Sequence, residues 1–250
     1  MSEKTSQPGK NRMYKDLAWT FPIISQPEEY IEEGETFVVE IRKHSRKEAR
    51  TLLNLGCGAG CLDWALKKNF RITSVDISPQ MLEVARKINP EVEYLEGDMR
   101  IFRLERRFDT VVIHDAINYM LSPEELRSAF STAYEHLERG GILVTFAEEW
   151  PERFVQNRVK AFTRVKDDVE ITLIEHFYDP DRSDTTYEST FVFLIRRNGM
   201  LKCETDLHVC GIMPLGEWHQ ALAESGFTVL EPEPGYSPGD SETIFVGLKL

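Results

Sequence analysis

The segment of this chain best suited to chemistry runs from Leu53 to Gly60 and reads LNLGCGAG. Gly56, Gly58 and Gly60 follow a short apolar run, and glycine lets the backbone turn sharply and approach a ligand without a Cβ clash. Asp76 ends the next apolar run, where a carboxylate can accept hydrogen bonds from both hydroxyls of a ribose. The spacing therefore predicts a loop that binds a nucleoside-containing ligand.

Other candidate site residues follow predicted strands. His114 and Asp115 end the fourth of these, at the edge where ligands bind in open α/β sheets. The alternative is a hydrogen-bonded pair that merely finishes the strand. Ile77 is placed either to pack against a flat ring of the ligand or to join the core.

Alternating strands and helices must position these residues. Ser78-Pro79 and Ser122-Pro123 are typical helix starts, because serine caps the helix and proline suits its first turn. Strands separated by helices predict βαβ units and a mostly parallel sheet. We expect seven strands at 51–55, 71–76, 92–96, 110–113, 142–146, 227–231 and 243–248, and helices at 26–43, 62–68, 78–87, 122–138 and 214–225.

The rhythm changes after Trp150, where three extended runs cover 169–178, 185–196 and 201–210. Asn198-Gly199 lies between the last two and is a strong hairpin signal. This pattern predicts a three-stranded antiparallel insertion. We therefore expect one domain over residues 1–250, with an N-terminal arm at 1–25 that frays up to residue 12 and docks beyond it, and an insertion or lid at 151–212.

Composition excludes several classes of protein. Thirty Lys and Arg against 42 Asp and Glu give a net charge of −12, which argues against nucleic acid as the main partner. No apolar run is long enough to span a membrane, and the first ten residues lack the apolar core of a secretory signal. Four cysteines without a Cys-x-x-Cys pair predict free thiols, no metal site and a cytoplasmic location.

The glycine spacing distinguishes two nucleoside-binding families. The dinucleotide fingerprint Gly-x-Gly-x-x-Gly would place its third glycine at Cys61, whereas here it comes one residue earlier. This spacing resembles the first motif of the class I S-adenosylmethionine (SAM)-dependent methyltransferases. Segments 96–99, 108–115 and 137–143 resemble later motifs of that family in the same order. The resemblance covers roughly residues 50–148 and the last two strands, and it implies a doubly wound α/β fold.

The same resemblance implies that SAM is the cofactor. Asp98 would face the adenine amino group, and Asn54 stands where many members have Asp or Glu. An amide can still hydrogen-bond the amino-acid end of the cofactor, but it offers no charge to its ammonium group. The expected cofactor-binding residues are Asn54, Gly56, Cys57, Gly58, Gly60, Asp76, Ile77, Asp98, Met99 and His114.

A narrower likeness lies outside the cofactor half. Segments 97–104, 147–150 and 206–213, together with the insertion, are similar to the aminosugar N,N-dimethyltransferases of macrolide biosynthesis. This likeness implies that the insertion lies over the substrate pocket and that Tyr14 lies near the cofactor. It also makes His208 a candidate substrate contact or base. The candidate catalytic residues are therefore Tyr14, His114, Asp115 and His208.

We expect methyl transfer from SAM to a nitrogen or oxygen of a small molecule. The transfer would be in line, inside a pocket that the arm and the insertion close, and a base is needed only if the nucleophile is protonated. The alternatives are a non-catalytic SAM-binding or regulatory protein and a nucleotide-dependent oxidoreductase. Protein or RNA methylation is disfavoured, because the fourth strand is not followed by Asn-Pro-Pro-Tyr. The alternative role of the insertion is to form the interface of a homodimer.

Overall fold

A parallel sheet places the candidate site residues along one edge. The computed structural model describes residues 9–230 and 243–250, and over these residues the sheet has seven strands. In chain order they are β2 (Thr51–Leu55), β3 (Arg71–Asp76), β4 (Glu93–Glu96), β5 (Phe108–Ile113), β6 (Leu137–Ala147), β11 (Thr228–Leu230) and β12 (Thr243–Leu248). The spatial order is β11-β12-β6-β5-β2-β3-β4, and all strands from β6 to β4 pair in parallel. The predicted fold class is confirmed.

Helices cover both faces of this sheet, so its central strands are apolar throughout. In β2, Leu52, Leu53 and Leu55 have no exposed surface. The helices are α1 (Phe21–Ile24), α2 (Ile31–His44), α3 (Cys61–Leu66), α4 (Pro79–Ile88), α5 (Pro123–Glu135) and α6 (Leu215–Glu224), with 3₁₀ turns at Arg12–Tyr14, Ala18–Thr20, Pro27–Tyr30 and Asp115–Tyr119. Side chains of α2, α3 and α4 form the core on one face of the sheet, and those of α5 and α6 form it on the other.

The two predicted serine caps are present. Ser78 Oγ accepts a hydrogen bond from the backbone N of Met81 at 3.1 Å, and Ser122 Oγ accepts one from Glu125 at 3.3 Å. Each cap satisfies a backbone donor that the first turn of a helix leaves free. Helix α4 therefore begins directly after the strand that carries Asp76.

A second sheet, five-stranded within the described residues, lies beside the first. Its strands are β1 (Gly9–Lys10), β7 (Val159–Lys166), β8 (Val169–Tyr178), β9 (Thr186–Arg197) and β10 (Met200–Gly211), in the order β1-β10-β9-β8-β7. The predicted turn at Asn198-Gly199 is confirmed, with φ of 51° and 75°. Apolar side chains of the arm pack on β8 and β9, so the arm lies against this sheet.

The insertion has four antiparallel strands rather than the predicted three. Strand β7 was missed because most of its side chains are exposed, so hydrophobic alternation is weak. Asp167, with φ of 54°, helps turn the chain from β7 into β8.

The boundary between α5 and β6 also differs from the prediction. The helix ends at Glu135 rather than 138, and β6 begins at Leu137. Gly140, with φ of 80°, lies inside this strand, and its N–H bonds the carbonyl of Lys249 at 2.7 Å.

Two expectations fall partly outside the described residues: fraying of residues 1–12 and the end of the strand predicted at 227–231. Where the structure is described, no helix is both long and apolar enough to cross a membrane. Over the same ranges, no group of three or more His, Cys, Asp or Glu side chains is arranged to hold a metal ion.

Candidate active site

The glycine loop joins β2 to α3 and is anchored to the neighbouring strand. The backbone N–H groups of Gly56 and Cys57 both bond the carbonyl of Val75, at 2.7 and 3.0 Å. Gly56 has φ of 79°, and a Cβ there would lie 2.2 Å from the Cβ of Ala116. A larger residue would push the loop away from the chain that follows β5, so glycine is required at this position.

Asp76 ends β3 with its carboxylate turned under this loop. Oδ2 accepts a hydrogen bond from the N–H of Gly58 at 2.7 Å, and Oδ1 accepts one from Ser78 at 2.8 Å. Burial raises the pKa of Asp76, while these two bonds oppose the rise. Each oxygen keeps a lone pair for a further donor. Ile77 beside it leaves 64% of its surface exposed, which is unusual for an apolar side chain that lines a cavity.

Asn54 connects the loop to a buried carboxyl group. Its Nδ2 donates to Asp63 Oδ1 at 2.8 Å, and Ser74 Oγ donates to the other oxygen of Asp63 at the same distance. Burial raises the pKa of Asp63. Among the described residues Asn54 Oδ1 has no hydrogen-bond partner, although it is buried and the side chain lines the cavity. Such an oxygen is an acceptor suited to a ligand donor.

Asp98 and Met99 follow β4 on the far side of the cavity. Asp98 pairs with Arg100, whose Nη2 lies 2.6 Å from Oδ2, and this hydrogen-bonded pair lowers the pKa of Asp98. Arg100 also contacts Glu125 at 2.5 Å. The carboxylate is therefore fixed in position by a cation while its residue lines the cavity.

His114 lies between two carboxylates. Its Nε2 contacts Glu33 of α2, and its Nδ1 lies 3.2 Å from Asp115 Oδ2. Burial opposes the charged ring, but Asp115 and Glu33 together raise the pKa of His114 well above its usual range. The ring of Phe146 packs edge-on at 4.8 Å. A ring held as a cation with both nitrogens engaged is poorly suited to accept a proton, so its chemistry is that of a donor and positive charge.

Tyr14 and His208 are joined through a residue that the sequence did not single out. Tyr119 Oη lies 2.8 Å from Tyr14 Oη and 2.5 Å from His208 Nδ1. His208 Nε2 lies 2.8 Å from Asp206 Oδ2, and Asp206 also accepts the N–H of Met13 at 2.6 Å. The arm, the chain after β5 and strand β10 thus meet in one hydrogen-bonded row.

These residues surround one cavity of about 560 Å³. Of the ten expected cofactor residues, all but Gly60 line it. A Cβ on Gly60 would lie 2.5 Å from Tyr94 Oη, so that glycine packs against the protein. Tyr14, His114 and Asp115 also line the cavity, whereas buried His208 reaches it through Tyr119.

Sequence reasoning missed Glu33, Asp63, Tyr119 and Asp206. One local signal was available: Asp206 and His208 are two apart in a strand, so they face the same side. Glu33 and Tyr119 meet their histidines across 81 and 89 residues, and nothing local indicates those pairs.

The chain is similar to known methyltransferases. Residues 52–141 match a family described as "Methyltransferase domain". A dTDP-3-amino-3,4,6-trideoxy-alpha-D-glucopyranose N,N-dimethyltransferase from Streptomyces venezuelae is 30% identical over 213 residues, covering 84% of this chain and 88% of that protein.

Two solved structures share the fold of this chain over nearly its whole length. The crystal structure of Streptomyces venezuelae DesVI aligns with a TM-score of 0.81 at 27% identity, covering 94% of this chain and 96% of that one. SAM-bound CalS10, an amino pentose methyltransferase from Micromonospora echinaspora, shares the fold with a TM-score of 0.76 at 23% identity, over 94% and 96% of the two chains.

Proposed function

This chain belongs to the class I SAM-dependent methyltransferases, and on that premise we propose that it methylates the amino group of a small molecule of the amino-sugar class. The observation that carries the proposal is the extent of the likeness to an aminosugar N,N-dimethyltransferase, which includes the insertion as well as the cofactor half. Family membership confirms the predicted enzyme class and cofactor. It does not support the oxidoreductase or the non-catalytic alternative.

The cavity fits the cofactor at several points. The Asp76 carboxylate, held by two backbone N–H groups, would accept the ribose hydroxyls, and exposed Ile77 would cover one face of the adenine. The unpartnered Oδ1 of Asn54 would accept a hydrogen bond from the ammonium at the amino-acid end. When bound, SAM supplies an electrophilic methyl group, which bonds to the acceptor nitrogen as its bond to sulfur breaks and leaves the electron pair on sulfur.

The acceptor end of the cavity favours a nitrogen nucleophile. The carboxylates of Glu33 and Asp115 outnumber the His114 cation between them, and Asp115, which lines the cavity, attracts an ammonium group. Tyr14 and Tyr119 line the same cavity, and their hydroxyl oxygens offer acceptors to an N–H donor. An amine therefore finds both charge and hydrogen-bond partners there.

The arm and the insertion would exclude water from the reaction. Ser78 Oγ donates to the backbone carbonyl of Tyr14 at 2.5 Å, which ties the arm to the helix that starts beside Asp76. Val209 of β10 contributes to the cavity wall from the insertion. We infer that these two segments close the pocket over the reactants.

A methylation assay tests the proposal. Purified protein, SAM and dTDP-3-amino-3,4,6-trideoxyglucose should yield S-adenosylhomocysteine and a sugar nucleotide heavier by one or two methyl groups. The matched control is the sugar with a hydroxyl in place of the amino group, which should remain unmodified. Methylation of the hydroxyl sugar, or failure with every amino sugar of a panel, would contradict the proposal.

A further inference from the structure

A row of four hydrogen-bonded side chains, two buried and two partly buried, leads from strand β10 to the cavity. Asp206 and His208 have at most 1% of their surface exposed. Their contact of 2.8 Å is followed by 2.5 Å from His208 to Tyr119 and 2.8 Å from Tyr119 to Tyr14. The last two residues line the cavity, so the row ends at the place of the reaction.

The chemistry of the members gives the row a direction. Burial opposes ionisation of Asp206, but His208 and the N–H groups of Arg12 and Met13 lower the pKa of its carboxyl, so it accepts. His208 then donates from Nε2 and accepts at Nδ1, and the proton of Tyr119 points to that nitrogen.

The direction continues to the cavity. Burial raises the pKa values of Tyr119 and Tyr14, so both hydroxyls keep their protons. Tyr14 donates to Tyr119, since the proton of Tyr119 is already committed to His208. The Tyr14 oxygen is left with lone pairs for a donor in the cavity.

Resting on the proposed amine methylation, we propose that Asp206, His208, Tyr119 and Tyr14 form a proton relay that converts the bound ammonium of the acceptor into the free amine. One N–H proton passes to Tyr14 Oη as the proton of Tyr14 moves to Tyr119 and that of Tyr119 moves to His208 Nδ1. The amine keeps its electron pair for the methyl group, and the imidazolium formed is balanced by Asp206. Nothing is oxidised or reduced.

The surroundings of His208 suit a transient positive charge. The ring of Phe191 lies 4.7 Å away, and Glu175 of β8 interacts electrostatically with the histidine from the far side of β9. Ser189 donates to Glu175 at 2.7 Å. The titratable and charged groups around the row are Asp206, Cys210, Glu175, Tyr187, Tyr14 and Tyr119, with Asp76 and Asp115 near Tyr14 and with Arg158 and Lys160 near Glu175.

Tyr119→Phe interrupts the relay while preserving the ring. At about pH 7, where an aliphatic amine is mostly an ammonium ion, kcat/KM for the amino sugar should fall about 10- to 100-fold. At about pH 10 a much larger share of the amine is free in solution, so the difference in kcat/KM between the variant and the wild type should shrink. Tyr178→Phe, on an exposed part of β8, is the matched control and should follow the wild type throughout.

Two results would overturn the relay: no loss at any pH, or an equal loss at every pH, which is the mark of a purely structural role. If the wild type methylates no amine at all, the proposed function is contradicted instead of the relay. The relay is then tested without an acceptor, by ¹⁵N NMR of histidine at about pH 8. Protonation of His208 on Nε2 alone is expected, and protonation on Nδ1 would overturn the proposal.

Discussion

Asp76 is oriented before any ligand arrives, because its two oxygens already accept the N–H groups of Gly58 and Ser78. A side chain that is already oriented loses little conformational entropy when it binds the ribose. This arrangement explains how a motif of a few residues can specify a nucleoside site. The motif holds the carboxylate and the loop in one hydrogen-bonded unit.

At the residue scale, Asp76→Ala should weaken SAM binding by about 1–3 kcal/mol, because hydrogen bonds to the bound ligand are lost. Isothermal titration calorimetry measures the change. Asp168→Ala, on the exposed turn between β7 and β8, is the control and should bind as the wild type. Unchanged affinity in the Asp76 variant would remove the ribose assignment.

How far the sequence predicts the site depends on how locally each part is encoded. Gly56, Gly58 and Asp76 were identified because their spacing and their places after strands follow from local pattern. The Glu33–His114 and Tyr119–His208 contacts could not be identified in this way, because each joins side chains from separate elements. A lone histidine in a sequence gives no indication of which distant group will share its proton.

At the element scale, the local sequence pattern predicted most strands correctly. The wrongly predicted strand boundaries and the missed strand have one cause. Strand β7 and the start of β6 depend on backbone pairing with other strands rather than on apolar side chains. Buried strands show themselves through composition, whereas an exposed strand at a sheet edge does not. The insertion consequently gained a strand that its sequence pattern did not reveal.

One carboxylate fastens the start of β2 to β5. Asp109 accepts the N–H groups of Arg50 and Thr51 at 3.0 and 2.9 Å, and Lys47 lies 2.7 Å away. Partial burial opposes ionisation, but Lys47 and these bonds lower the pKa of Asp109 to about 2. A pKa lowered by folding stabilises the native state above the unfolded value of 3.8, and this contribution is lost as the pH falls toward 2.

Asp109→Asn should therefore lower the free energy of unfolding at about pH 6 by about 1 kcal/mol, allowing for solvent screening. The difference in the free energy of unfolding between the variant and the wild type should become smaller as the pH falls from about 4 to about 2. Urea unfolding at a series of pH values measures both. A gap that stays constant down to the lowest pH would show that the charge of Asp109 does not stabilise the fold.

At the scale of the whole molecule, the cavity is shared by the central sheet and the arm. Tyr14 lines it, and its carbonyl bonds Ser78, whose own N–H bonds Asp76. The ligand, the loop and the arm are therefore linked by consecutive hydrogen bonds. Binding at one end should restrain the other.

Hydrogen exchange of the backbone amides of residues 12–20 should slow several-fold when S-adenosylhomocysteine binds, because the arm is held over the occupied cavity. Mass spectrometry of deuterated peptides measures the rates. The turn at residues 166–169 lies away from the cavity lining and provides the internal control, with no change expected. If the amides of the arm exchange at the same rate with and without the ligand, cofactor binding does not restrain the arm.

The pairing of β1 with β10 has a consequence for how the enzyme folds while it is being synthesised. Gly9 pairs with Asp206, so the first strand leaves the ribosome long before its partner exists. At about 5–20 residues per second, the arm waits about 10–40 seconds, with Met13, Leu17 and Ile23 lacking the surface that later buries them. During translation the arm therefore exposes apolar side chains of the kind that chaperones bind, and a chain that stops before β10 has no completed active site.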